Sequence, residues 1–176
     1  MRAVVVGGGS WGSVFAGLLA ARGHDTWLAC RDAEQARVIG ETGHNPRYLT
    51  RVDLRGVRAE ALADAPLAEA DLIVLAVPSS AFAGVAAALP PGPPVLVLTK
   101  GLDPASGKRL SELVAGRPVA VLSGPNHAEE IGQGLPAASV IASPDDELAR
   151  RLQHELISPT FRVYVNADVV GVVEEE

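Results

Sequence analysis

The sequence RAVVVGGGSWGSVFAGLLAARG, residues 2–23, sets the architecture that we expect for the whole chain. It contains a β-branched run, Val4–Val6, that predicts a strand, and an apolar run after the glycines that predicts a helix. Between them the glycines fall as Gly7-x-Gly9-x-x-Gly12, the spacing of a dinucleotide-binding turn. In such a turn the first glycine permits a tight bend, the second lets the backbone approach a pyrophosphate, and the third lets the helix pack closely. The N–H groups at the start of the helix then face the negative charge.

Two other interpretations of this segment are weaker. The spacing alone has low specificity in a chain with 18 glycines, but the strand and the helix that it requires are both predicted here. Arg2, the apolar run and Ala20-Ala21 also look like a secretory signal. Because the consecutive glycines at 7–9 would break the helix that such a signal forms, we favour the nucleotide site.

Composition indicates one globular domain in a reducing compartment. The 176 residues suffice for one well-buried core, and 48% hydrophobic with 20% charged residues is typical of globular proteins. The net charge of -6 argues against nucleic acid as a partner. A lone cysteine, Cys30, excludes an internal disulfide and suits the cytosol. Prolines divide the uncharged stretch between Asp71 and Lys100, so we expect no membrane span there.

Apolar strand segments alternate with helical segments along the whole chain. This alternation predicts an α/β fold of Rossmann type, a doubly wound and mostly parallel sheet whose final strands can run antiparallel at one edge. The predicted strands are Val4–Val6, Asp25–Cys30, Val57–Glu60, Asp71–Val77, Val95–Leu98, Val119–Leu122, Ala137–Ala142 and Phe161–Val165. Further helices are predicted over Ala33–Ile39 and Ala81–Leu89, over Ala61–Ala70 with an interruption at Pro66, and from Asp103-Pro104 and Ser143-Pro144 onward.

The end of the second predicted strand is where such a fold binds the adenosine ribose. An acidic residue there accepts a hydrogen bond from the 2′-hydroxyl of NAD, whereas an arginine accommodates the 2′-phosphate of NADP. Counting about 20 residues from the glycine turn leads to Cys30 and Arg31, of which only Arg31 is charged. Asp32 follows one position later and suits the N-cap of the next helix. We therefore expect NADP, with NAD as the alternative; for Arg31 the other interpretation is a solvated surface arginine.

Lys100 is a second candidate at a strand end. It is the first charged residue after the long uncharged stretch and follows the predicted strand Val95–Leu98. Ligands of open α/β sheets bind outside the carboxyl ends of the strands, although a plain surface lysine is the alternative. The spacing of the four histidines fits no metal site, so we expect no metal, and only His127 falls in a predicted ligand loop.

Several motifs resemble those of the bacterial NAD(P)-dependent glycerol-3-phosphate dehydrogenases, in the order of that family and across essentially the whole chain. The motifs are GGGSWGSVFA (7–16), ACRD (29–32), NPRYL (45–49), VPS (77–79), LTKG (98–101), LSGPNHAEE (122–130) and FRVYVNADVVGV (161–172). LTKG and SGPNHAEE together are far more specific than the glycine turn. The resemblance implies a cytoplasmic, NAD(P)H-dependent enzyme that interconverts dihydroxyacetone phosphate and sn-glycerol 3-phosphate for phospholipid synthesis.

The resemblance also implies roles for individual residues. Lys100 would stabilise the developing oxyanion as a catalytic group, and the substrate is the implied small-molecule partner. Beside Gly7, Gly9 and Gly12, the implied cofactor contacts are Ser10, Trp11, Arg31, Tyr48, Lys100 and Ala128. The implied substrate contacts are Lys100, Gly124 and Asn126. Many relatives carry Ser or Thr at position 126, but an amide also hydrogen-bonds a substrate oxygen.

Family members are longer than this chain, and their second, helical domain carries the lysine that acts as general acid/base. The resemblance therefore implies an NAD(P)-binding domain over residues 1–165. Residues 166–176 would begin the connection to a helical substrate domain absent from this chain, which alone is expected to be inactive. Two alternatives stay open: a non-catalytic NADP-binding module and a related 2-oxo acid reductase. We expect Val169, Val170, Val172 and Val173 to be exposed, and this apolar patch leaves a homodimer open.

Overall fold

An eight-stranded sheet with helices on both faces forms the frame of the molecule. The computed structural model describes residues 1–174, and side chains as far as residue 172. The strands are β1 (Arg2–Val6), β2 (Asp25–Cys30), β3 (Val57–Ala61), β4 (Leu72–Leu75), β5 (Val95–Val97), β6 (Val119–Ser123), β7 (Ala137–Ala142) and β8 (Phe161–Asn166). The helices are α1 (Ser10–Ala21), α2 (Ala33–Thr42), α3 (Ser79–Ala87), α4 (Ala128–Gly132), α5 (Asp146–Leu156) and α6 (Val169–Glu174).

The first strand lies in the middle of the sheet and is buried on both faces. Ala3 and Val5 pack into one hydrophobic cluster, with Phe15 of α1, while Val4 and Val6 pack into the other, with Phe82 of α3. All four strand residues are at most 1% exposed. A parallel strand covered by helices on both sides requires apolar residues at every position, which explains the unbroken run of small and branched side chains.

Strand direction changes once across the sheet, whose order is β3-β2-β1-β4-β5-β6-β7-β8. The first six strands are parallel, β7 pairs antiparallel with β6, and β8 pairs parallel with β7. The expected α/β, mostly parallel fold with antiparallel strands at one edge is therefore confirmed. Because β1, β4, β5 and β6 all end at the same edge, the loops that leave them gather there.

The helix predicted over Ala61–Ala70 is wrong. Ala61 instead completes β3 by pairing with Cys30, and the N–H of Leu62 donates to the carbonyl oxygen of Cys30 at 2.8 Å. Within this segment only a short 3-10 turn forms, Leu67–Glu69, directly after Pro66. The pairing with β2 outweighs the helical composition of this alanine-rich segment, and the proline keeps a longer helix from continuing through it.

The helix predicted to begin at Asp103-Pro104 is also wrong. The carboxylate of Asp103 accepts hydrogen bonds from the N–H of Ser106 at 2.8 Å and from its hydroxyl at 2.6 Å. The N–H of Gly107 then closes the turn on the carbonyl oxygen of Asp103 at 2.8 Å. Asp103 therefore closes a single turn and caps no helix, because Gly107 adopts a positive φ of 68° and ends the turn.

The remaining predicted helices are present, with ends shifted by a few residues. α3 begins two residues earlier than predicted, at Ser79, and α5 begins at Asp146 after an Asp145 N-cap. In α6 the expected exposure holds for Val170, which is 41% exposed. It is wrong for Val169 and Val172, which are half-buried; Val169 packs against the cluster around Phe82. Val173 lies outside the residues whose side chains are described.

Candidate functional site

A cleft of about 740 Å³ opens at the carboxyl edge of the sheet. We call the surface within residues 6–11, 29–35 and 47–48 the first wall, and the surface within residues 76–81, 98–100 and 126–128 the second wall. The predicted site residues that line this cleft are Gly7, Gly9, Ser10, Trp11, Arg31, Tyr48, Lys100, Asn126 and Ala128. Two predicted residues lie elsewhere: Gly12 is buried inside α1, and Gly124 lines an adjoining cavity of about 310 Å³ that shares Asn126 with the cleft.

Each glycine of the turn meets a different constraint. Gly7 has a φ of +122°, and a Cβ there would lie 2.3 Å from the carbonyl oxygen of Ala76. A Cβ at Gly12 would lie 1.9 Å from the carbonyl oxygen of Gly7, so no other residue lets α1 sit this close to β1. A Cβ at Gly9 would meet no described atom within 4 Å and would instead project into open space. The turn is thus closely packed on its protein side, and on its cleft side no side chain covers the backbone at Gly9.

The N-terminus of α1 has neither a side-chain cap nor an acidic neighbour in its first turn among the described residues, and its N-cap residue is Gly9. The N–H groups of a first helical turn have no partner inside the helix, and the helix dipole adds positive charge there. This end of α1 therefore suits an anion such as a phosphate group.

Behind the turn, two buried amide side chains hold the carbonyl oxygen of Gly8. Asn45 donates to it through Nδ2 at 2.9 Å, and Gln35 donates through Nε2 at 2.7 Å. Asn45 Nδ2 also donates to the hydroxyl of Ser13 at 2.8 Å, which ties α1 to the same group. Asn45 is 1% exposed and Gln35 is 6% exposed, so these bonds are sheltered from water and hold the turn rigidly.

The other end of the Asn45 amide shapes the loop after α2. Its Oδ1 accepts from Gln35 Nε2 at 3.1 Å, from the N–H of Arg47 at 3.0 Å and from the N–H of Tyr48 at 3.2 Å. These bonds place Arg47 and Tyr48 at the rim of the cleft. In the sequence, Asn45 stands out only as part of a motif. The one local signal of its role was an Asn-Pro pair after a helix, because its partners are distant in sequence.

At the end of β2, Arg31 and Asp32 differ in their contacts. Asp32 is the N-cap of α2, the alternative that its position in the sequence suggested: Oδ1 accepts from the N–H groups of Glu34 at 2.9 Å and Gln35 at 3.5 Å. Its Oδ2 accepts from the guanidinium of Arg47. The Glu34 N–H, and then Arg47, hold the pKa of Asp32 below its usual value. Arg31 is exposed and makes no hydrogen bond or ion pair with any described residue.

Lys100 and Asn126 lie on the second wall, and Gly124 of the adjoining cavity is in contact with Lys100. Lys100 Nζ donates to the carbonyl oxygen of Gly124 at 3.1 Å, which joins the ends of β5 and β6. Asn126 Nδ2 donates to Ser139 Oγ at 2.6 Å, while its Oδ1 is buried and has no hydrogen-bond partner among the described residues. A buried amide oxygen without a partner costs free energy, so it marks a place where a ligand or water can bind.

Other candidate chemistry is sparse in residues 1–174. No cluster there of three or more His, Cys, Asp or Glu could hold a metal ion. His127 is exposed at the start of α4, where its side chain makes no capping bond. None of the described helices is long and apolar enough to span a bilayer.

The doubly wound sheet, the glycine turn and the cleft at the carboxyl edge define a Rossmann-type fold of the kind found in dehydrogenases. A model described as NAD-dependent glycerol-3-phosphate dehydrogenase N-terminus matches residues 2–149. The chain belongs to that family, and the resemblance in its motifs is confirmed.

Several proteins with sequences or structures similar to this chain are named as members of the same family. The chain is 45% identical over 177 residues to a glycerol-3-phosphate dehydrogenase [NAD(P)+] of Moorella thermoacetica, covering 96% of this chain and 52% of the relative. It is 36% identical to the enzyme of the same name from Brucella canis, covering 97% and 55%. The crystal structure of glycerol-3-phosphate dehydrogenase (gpsA) from Coxiella burnetii superposes with a TM-score of 0.90 at 31% identity, covering 98% and 55%. The chain thus spans about half the length of the curated relatives it matches.

Proposed function

We propose that this chain binds a nicotinamide dinucleotide, NADPH in preference to NADH, and forms the cofactor-binding half of a glycerol-3-phosphate dehydrogenase. The observation that carries the proposal is the first wall. Its glycine turn is closely packed from behind, has no Cβ in front, and ends at an uncapped helix N-terminus. A pyrophosphate needs this combination of close backbone approach and unpaired N–H groups.

The cofactor contacts proposed from the family motifs fit the cleft. Ser10 and Trp11 begin α1 beside the turn, Arg31 offers an unpaired guanidinium to a 2′-phosphate, and Tyr48 and Ala128 line the same cleft. Both oxygens of Asp32 are already bonded within the protein, which weakens it as a partner for a ribose hydroxyl. This difference between Arg31 and Asp32 supports NADPH over NADH.

The second wall is proposed to hold the substrate, dihydroxyacetone phosphate or sn-glycerol 3-phosphate. The bound cofactor would supply the hydride for reduction of the ketone. Lys100 places a cation at the strand end, where it can stabilise negative charge on the carbonyl oxygen. Gly124 and Asn126 lie beside it, and the unsatisfied Oδ1 of Asn126 can accept a hydrogen bond from a substrate hydroxyl.

We also propose how the cofactor-binding and substrate-binding parts are arranged along the sequence. Residues 1–165 form the cofactor-binding domain, and residues 166–176 begin the connection to a helical substrate domain. The other half of the relatives' length would supply the general acid/base and the phosphate ligands of the substrate, in a cytoplasmic enzyme. A homodimer is also part of the proposal, since Val170 of the expected apolar patch is exposed.

Titration of the chain with NADPH and NADH, followed by calorimetry, tests the cofactor proposal. We expect saturable binding of both and tighter binding of NADPH. Arg31→Ala should remove most of that preference, whereas Arg150→Ala, an exposed arginine on α5, should leave it unchanged. Absence of saturable NADPH binding to the folded wild-type chain would refute the proposal.

A turnover assay tests the division into halves. With NADPH and dihydroxyacetone phosphate, the 176-residue chain should show no oxidation of the cofactor, while a version with the length of the relatives should show it. Turnover by the short chain alone would contradict the division. Turnover of a 2-oxo acid in place of dihydroxyacetone phosphate would instead support a related reductase.

A further inference from the structure

We propose that Arg47 is a second cation for the 2′-phosphate of the cofactor, and that its pairing with Asp32 sets the preference for NADPH over NADH. This inference rests on the proposed function, because it concerns the adenosine end of the same site. Arg31, Asp32 and Arg47 all line the first wall of the cleft. Among the described residues that line the first wall, these three carry a charge.

The carboxylate of Asp32 would by itself oppose a phosphorylated cofactor. An acidic side chain at the end of β2 would repel a 2′-phosphate and accept a hydrogen bond from a 2′-hydroxyl, so alone it would favour NADH. Here Oδ1 of Asp32 caps α2 and Oδ2 accepts from Arg47. Arg47 therefore compensates the negative charge that the cap of α2 requires at this position. Without Arg47, one cation, Arg31, would face one uncompensated anion.

The guanidinium of Arg47 keeps donors free for a ligand. A guanidinium has five N–H donors in a planar fork, and the bond to Asp32 is made by one terminal nitrogen, Nη2. The side chain is 53% exposed at the cleft, so its remaining donors can reach a ligand. Its backbone is held by the bond from its N–H to the buried Oδ1 of Asn45 at 3.0 Å. The backbone of Arg47 is thus fixed by Asn45, while its guanidinium is accessible from the cleft.

The two arginines then face a phosphate from different elements. Arg31 comes from the end of β2, and Arg47 comes from the loop after α2. A phosphate monoester carries close to two negative charges near pH 7 and offers three acceptor oxygens, which suits two guanidinium groups. A 2′-hydroxyl offers neither feature, so the second arginine stabilises only the phosphorylated cofactor.

The test compares coenzyme pairs that differ only in the 2′-phosphate. Dissociation constants are measured for NADPH and NADH, and for adenosine 2′,5′-bisphosphate and 5′-AMP, at one fixed ionic strength. Arg47→Ala should weaken binding of the phosphorylated member of each pair about tenfold or more, with a change of less than about threefold for the other member. Arg47→Lys should keep part of the preference. Asp32→Asn combined with Arg47→Ala should recover part of the lost affinity, because the uncovered carboxylate is gone.

The alternative is that Arg47 only braces the cap of α2. In that case Arg47→Ala would weaken both members of each pair by the same factor, or neither, and either result would overturn this inference while leaving the proposed function intact. Wild-type protein that binds neither coenzyme would overturn both. Thermal unfolding of each variant, followed by circular dichroism, checks that the fold is retained, and Arg150→Ala is the matched control for loss of an exposed, paired arginine.

Discussion

The two walls of the cleft are built in different ways. Behind the first wall, the buried amides of Gln35 and Asn45 hold Gly8 and Ser13, and the glycines at 7 and 12 leave no space for a side chain. In the second wall, an exposed lysine reaches a backbone carbonyl and a buried amide oxygen has no described partner. The first wall is completed by the chain's own bonds. Substitutions of the buried groups that hold the first wall should act on folding as well as on binding, whereas substitutions of exposed residues in either wall should act on the ligand alone.

The largest expected effect is that of Gly12→Ala, in the part of α1 that packs behind the first wall. The added Cβ would lie 1.9 Å from the carbonyl oxygen of Gly7, so α1 must move away from β1. We expect a loss of at least about 2–3 kcal/mol in the free energy of unfolding, measured with urea.

Gly40→Ala is the matched control for Gly12→Ala. Gly40 lies in α2 with no atom within 4 Å of an added Cβ, so the same substitution should stabilise the protein by about 0.5–1 kcal/mol. Equal stability of the two variants would show that the packing of α1 against β1 has room for a Cβ at position 12.

Asn45→Ala should have the next largest effect. It leaves the Gly8 carbonyl with one amide donor in place of two, and it leaves the N–H groups of Arg47 and Tyr48 without their acceptor. We expect a loss of about 2–3 kcal/mol in unfolding free energy and weaker binding of NADPH and NADH alike. Selective weakening of NADPH alone would contradict this role, since Asn45 positions the whole wall rather than one ligand group.

Lys100→Ala tests whether the second wall acts on the ligand and not on folding. The side chain is exposed, so the unfolding free energy should change by less than about 0.5 kcal/mol. In a version of the protein with the length of its relatives, kcat/KM for dihydroxyacetone phosphate should fall about a hundredfold or more. A large loss of stability with normal turnover would mean that the second wall is structural.

The smallest change is expected from alkylation of Cys30, which lies beneath the first wall. Its thiol is fully buried, and burial, followed by the charge of Asp32, raises its pKa to about 11. At pH 8 iodoacetamide should therefore label the folded protein very slowly and the urea-unfolded protein rapidly, as measured by mass spectrometry. A Cβ at Gly8 would lie 2.8 Å from this sulfur, so rapid labelling of the native protein would indicate that the first wall opens.

Short-range sequence patterns predicted most of the strands and helices. β2 and β7 have the predicted bounds, because polar and turn residues flank short apolar runs at Asp25–Cys30 and Ala137–Ala142. The failures at residues 61–70 and at Asp103 have a common cause. Each segment has helical or capping composition, but a bond to a neighbouring strand or to a nearby hydroxyl decides its structure.

The candidate site was predicted in part for a similar reason. Glycine spacing and strand ends are local signals, and they located Gly7, Arg31 and Lys100 on the cleft. The Asn45 bonds to Gly8 and Ser13 span 37 and 32 residues, and the Arg47 bond to Asp32 spans 15. No periodic pattern encodes such pairs, so they became visible only when the chain was folded.

The position of Asn45 has a consequence for how this protein can change over generations. Its buried amide fixes the path of the loop through main-chain groups, and the side chains at 47 and 48 point outward from that fixed path. Those two positions can exchange one residue for another while the scaffold stays intact. If Arg47 sets the coenzyme preference as proposed, single replacements at this position would change that preference at little risk to folding.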